Sequence, residues 1–66
     1  MDKKIIKKVR EDLLFTQSEF ARELNVSLST VQKWEWGLIN PNFKHQRKIL
    51  EFCKKHEIDI EKIKKE

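Results

Sequence analysis

Residues 16–41 read TQSEFARELNVSLSTVQKWEWGLINP, which spells out a helix, a sharp turn and a second helix. Thr16 and Glu19 have the T-x-x-E spacing of a capping box, in which each side chain satisfies the other residue's free backbone N–H. Phe15 before the cap and Phe20 one turn inside are placed to close over it as a hydrophobic staple. Leu24-Asn25-Val26 predicts the end of this helix, because Asn tolerates the left-handed backbone that helix ends adopt. Ser27 caps the next helix between Val26 and Val31, and Gly37 ends it. The expected helices are Gln17–Leu24, burying Phe20, Ala21 and Leu24, and Leu28–Trp36, turning Val31 and Trp34 inward.

Outward from this pair the pattern stays helical. A first helix is expected from Asp2 or Lys3 to Leu13 or Leu14, with Ile6, Val9 and Leu13 on one stripe, Ile5 beside it and lysines opposite. Pro41, with Asn40 or Asn42, marks the start of a fourth helix. It runs to about Lys55 and buries Ile49, Leu50 and Cys53, with Phe43 and Phe52 as further core candidates. Asp59 is placed to cap a last short helix, stapled by Ile58 and Ile63 and docking through Ile60 and Ile63. Gly and Pro occur once each and strand-like alternation is absent. The chain therefore predicts an all-α fold, a compact bundle of four to five helices. Residues 1–55 form its body and residues 56–66 a charged tail or short fifth helix.

Sixty-six residues make one small domain, too small to enclose a large ligand cavity. The formal charge of +4 favours a polyanionic partner. Its distribution says more. Between Leu24 and Leu50 stand Lys33, Lys44, Arg47 and Lys48 against Glu35 alone, a net of +3. Lys3, Lys4, Lys7, Lys8 and Arg10 open the chain as a second basic cluster. The single cysteine, Cys53, allows no internal disulfide and fits a reducing cytoplasm, where it serves as a small buried hydrophobe. With His45 and His56 it falls short of a structural zinc site, so neither metal nor cofactor is expected. No apolar run suits a membrane span or signal peptide. No nucleophile–base pair, carboxylate pair or glycine-rich phosphate loop is present, so catalysis is not expected.

Two short helices joined by a tight turn, with basic residues around them, describe the unit that lays its second helix in a DNA major groove. The outer face of that helix offers Leu28, Ser29, Gln32, Lys33 and Trp36, polar or small residues with one acid at the edge. Such a face suits base edges and phosphates. An acid there repels phosphate unless a cation neutralises it, and Arg10 is the candidate for Glu35.

Gln17, Ala21, Val26-Ser27, Ser29-Thr30-Val31, Trp34-Glu35-x-Gly37 and Pro41 resemble the Cro/cI-type (XRE-like) helix-turn-helix proteins, over roughly residues 5 to 55. That family includes phage repressors, plasmid and restriction-modification controllers, and many antitoxins. The resemblance implies a bundle of the phage-repressor DNA-binding-domain type. It places Gln17 on a phosphate at a helix N-terminus, with Ser27 and Thr30 also on the backbone. Lys44 is a further phosphate candidate. Leu28, Ser29, Gln32 and Lys33 take the base-facing places. Arg10 and Glu35 match a pair that braces the first helix against the third.

Two residues depart from the family pattern. Leu28 stands where Gln is frequent, replacing an amide contact to adenine with an apolar contact to a thymine methyl. Trp36 stands where a polar or basic residue is common, removing a phosphate contact. Trp36, Leu38 and Ile39 form an apolar cluster that either covers the base of the core or makes a dimer seam. The resemblance implies a repressor that binds double-stranded DNA as a homodimer on a palindromic operator. The alternatives are an antitoxin or other protein-binding module of the same fold, with a toxin as partner, and the DNA-reading part of a longer chain.

Overall fold

Each helix begins on a side chain that accepts hydrogen bonds from its first turn, as free N–H groups at a helix start require. In the computed structural model, which describes residues 1–64, α1 spans Lys3–Asp12 and is capped by Asp2, which accepts from the Lys4 N–H at 2.8 Å. α2, Gln17–Leu24, starts with both halves of the Thr16/Glu19 capping box in place. α3, Leu28–Trp36, is capped by Ser27, and α4, Phe43–Lys55, by Asn42. α5, Ile60–Lys64, starts on Asp59, whose carboxylate accepts from the Glu61 and Lys62 N–H groups.

The first four helices also end alike. A left-handed residue follows each, and the next N–H reaches back to a carbonyl of the last turn. The left-handed residues are Leu14, Asn25, Gly37 and Glu57. The closing bonds run from Phe15 to Arg10, Val26 to Ala21, Leu38 to Lys33 and Ile58 to Cys53. These closures turn the chain sharply enough for short helices to share one core.

That core consists of Ile6 and Val9 from α1, Phe20, Ala21 and Leu24 from α2, Val31 and Trp34 from α3, and Ile49 and Cys53 from α4. α3 packs on α2 and α1, α4 packs on α2, and α5 packs on α1. Phe15, Val26, Leu13, Ile58, Ile60 and Ile63 are partly buried around the margin. The all-α bundle expected from the sequence is the observed fold, with five helices among the described residues.

Several expectations need correction. α1 stops at Asp12, with Leu13 and Leu14 in the turn, because Leu14 takes φ +60° and leaves the helix. Leu50 is 49 % exposed: the inward stripe of α4 is Ile49 and Cys53, one turn apart, and the next residue after Ile49 is rotated off it. Phe43, the first residue of α4, is 84 % exposed: it lies six residues before Ile49 and so is rotated off the inward stripe, about 120° round the helix. Phe52 is partly buried and stacks on His56. Trp36, Leu38 and Ile39 do not cover the core; all three are exposed. The C-terminal segment expected from residue 56 includes Lys65 and Glu66, which lie outside the described residues.

Candidate nucleic-acid interface

α3 owes its orientation to one cluster of charge. The Arg10 Nε donates to Glu35 Oε2 at 2.7 Å and a terminal nitrogen donates to Oε1 at 3.1 Å, a two-pronged pairing. The other terminal nitrogen donates to the Phe15 carbonyl at 2.9 Å, tying the pair to the turn before α2. Gln17, the first residue of α2, adds its amide N–H to Glu35 Oε1 at 3.3 Å. The two charged side chains keep 14 % and 5 % of their exposure. The hydrogen bond that Arg10 donates to Glu35 raises the pKa of the guanidinium above its ordinary value, outweighing the burial that would lower it. One carboxylate therefore locks α1, α2 and α3 together. It also turns the one acid of α3 back into the protein, away from any incoming phosphate.

The outer face of α3 is then open and free of acid. Leu28 is 40 % exposed, Ser29 and Lys33 are exposed, and Gln32 is half-buried. Two of these four side chains carry hydrogen-bonding groups suited to base edges, one offers an ammonium and one an aliphatic surface. At the start of the helix the Ser27 and Thr30 hydroxyls lie 2.8 Å apart, and Ser27 also accepts the Thr30 N–H. Both hydroxyls sit at the positive end of the α3 dipole. Gln17 stands at the matching end of α2, half-buried, and Lys44 is exposed in the first turn of α4.

Three arrangements have no signal in the residue string. Lys48, part of the basic window, donates to the Leu24 carbonyl at 3.3 Å and so closes the C-terminus of α2. The stem of Lys3 crosses Gly37, placing the start of α1 against the end of α3. The amide of Gln17 lies on Glu35. A cap reached across 24 residues follows no local spacing rule. Free carbonyls at the end of α2 gave a need for a donor without naming it.

His45 faces the buried Trp34 ring with centroids 5.5 Å apart, and Cys53 is buried, its thiol pKa raised chiefly by desolvation. Among the described residues no three His, Cys, Asp or Glu side chains are grouped to hold a metal. Likewise, none of the described helices is long and apolar enough to cross a membrane.

No curated protein gives a significant match to this sequence, and no solved structure does. A family profile described as helix-turn-helix matches residues 6–62, from α1 into α5. With the capped α2–turn–α3 unit and the basic outer face of α3, that match shows that the chain belongs to the Cro/cI-type (XRE-like) helix-turn-helix family of DNA-binding regulators.

Proposed function

We propose that this protein is a cytoplasmic repressor that binds a palindromic operator as a homodimer, with α3 of each copy in the major groove. The supporting observation is the acid-free outer face of α3, held in place by a Glu35 that faces inward onto Arg10. Leu28, Ser29, Gln32 and Lys33 read bases, Leu28 through a thymine methyl. Gln17, Ser27, Thr30 and Lys44 hold phosphates and set the register. The Gln17 amide has two N–H groups, so one remains for a phosphate while the other stays on Glu35.

Trp36, Leu38 and Ile39, 61 %, 67 % and 45 % exposed, form the dimer seam at the end of α3. Apolar side chains clustered at this level of exposure mark an interaction surface. A two-fold axis there gives each half-site its own α3. Repression follows by occlusion of the promoter. The same seam would serve a toxin-like partner in place of a second copy, and sedimentation of the purified protein with operator DNA distinguishes the two.

The test of the DNA reading is a salt titration of duplex binding. A dimer that neutralises about six to ten phosphates gives a log–log slope of about −5 to −9. A flat titration, or no duplex binding at about 50–100 mM salt, contradicts the proposal.

A further inference from the structure

Away from α3, the groove between α1 and α5 carries, among the described residues, opposite charge at its two ends. Lys4, Lys8 and Lys64 line one end with Asp2, three cations against one acid. Asp12, Glu57 and Asp59 line the other with Lys62, three acids against one cation. Ile63 belongs to both ends and makes them one strip, with Ile5 on the basic side and Ile58 on the acidic side. These three isoleucines are partly exposed and supply an apolar floor.

The polarity is written into the helices. Lys4, Lys8 and Asp12 follow at four-residue spacing on a single face of α1. The end of α5 lies beside the start of α1, which brings Lys64 to the lysine end and Asp59 to the Asp12 end. Asp2 and Asp59 also cap their helices, accepting backbone N–H groups of the first turn. Lys64 reaches Glu61 at 3.4 Å, but that pair is solvent-exposed and yields readily to a better partner.

A strip of this kind complements itself. Turned about a two-fold axis, its basic end meets the acidic end of a second copy twice over. A uniformly acidic partner is repelled at the Asp12 end, a uniformly basic one at the Lys4 end, and DNA phosphate at the Asp12 end. We propose that the α1–α5 groove is a contact between copies of this chain, docked antiparallel and separate from the Trp36–Leu38–Ile39 seam. The contact itself needs no DNA. Its consequence, the joining of operator-bound dimers side by side, rests on the function proposed above.

Native mass spectrometry without DNA tests the contact. All proteins carry Trp36→Ser and Leu38→Ser, both exposed positions, so that pairing through that seam cannot mask the result. One variant adds K4E and K8E, giving both ends of the groove an excess of acids; another adds D12K and E57K, giving both ends an excess of cations. The background protein should form pairs that added salt disperses. Each variant alone should lose pairing, and an equimolar mixture of the two should regain it as the one-to-one mixed species. Thermal melts confirm that each folds, and K4Q/K8Q or D12N/E57Q replace any variant that does not, with loss of pairing as the expected result. Equal pairing in all proteins, no pairing by the background protein, or absence of the mixed species from two folded variants overturns the proposal.

Discussion

Glu35 solves a problem of position: it is an acid on the helix proposed to meet DNA, and it is turned inward by two bonds from Arg10 and one from Gln17. Removing one member leaves the other as a poorly solvated charge, which costs about 3–5 kcal/mol for a buried pair. Arg10 keeps some exposure, so the low end applies. Arg10→Ala and Glu35→Ala should each lose about 3 kcal/mol in chemical denaturation; a parent-like midpoint for either shows that the pair does not brace the fold. Glu19 makes a prediction of a different kind. Its carboxylate accepts the Thr16 N–H and sits beside the Thr16 hydroxyl, which holds its pKa below the ordinary carboxylate value. A lowered folded pKa means stability present above the ordinary carboxylate range and lost as pH falls through the folded value. Glu19→Gln keeps a capping side chain but cannot titrate. The melting temperature of the parent should exceed that of the variant at neutral pH, and the gap should close in acid. A gap independent of pH contradicts this account of the cap.

At the scale of the helices, one closure recurs after α1, α2, α3 and α4, though its left-handed residue is Leu, Asn, Gly and Glu in turn. A left-handed residue other than Gly costs about 1–2 kcal/mol, against about 0.5–1 kcal/mol of extra chain entropy lost by Gly. Leu14 is 89 % exposed and has little packing to lose. Leu14→Gly should therefore stabilise the fold by about 0.5–1 kcal/mol. Gly37→Ala should destabilise it, because φ is +77° and an added Cβ would lie 3.0 Å from the Lys3 Cδ. Equilibrium denaturation checks both signs, and a destabilising Leu14→Gly contradicts the strain argument.

The same closures decide what the sequence could disclose. Asn25 and Gly37 are residue types that favour a left-handed turn, and the ends of α2 and α3 at Leu24 and Trp36 were therefore legible. Leu14 carries no such signal, which is why α1 was read one or two residues too long. The inward stripe of α3 was legible because Val31 and Trp34 sit among polar neighbours. In α4 Ile49 and Cys53 were legible as inward, but Leu50 and Phe43 were not set apart from them, because Phe43, Ile49, Leu50 and Phe52 are all apolar and periodicity alone does not choose among them. In the site, the Thr16–Glu19 box follows from spacing. The Gln17–Glu35 bond and the Lys48 cap depend on the tertiary arrangement and have no local signature.

On the scale of the whole molecule, a core of nine buried apolar side chains holds a chain with little stability to spare, and several large apolar groups outside it, Trp36, Leu38 and Ile39 among them, are exposed. Trp36, Leu38 and Ile39 lie outside the core, so Trp36→Ser with Leu38→Ser should leave the monomer folded. It should also weaken binding to a two-half-site duplex far more than binding to a single half-site; equal weakening of both contradicts the seam. The central claim is that the outer face of α3 reads bases. The most direct measurement is selection of binding sites from random duplex DNA by the parent, Leu28→Ala and Lys33→Ala, each checked for folding by its melt. The parent should return a two-fold symmetric site. Leu28→Ala should lose preference at one thymine-containing base pair, by about 1–3 kcal/mol, with the salt slope unchanged. Lys33→Ala should relax a second position if its ammonium meets a guanine, or reduce the salt slope by about one if it meets a phosphate. Site profiles and salt slopes identical to the parent's for both folded variants would mean that α3 does not read DNA.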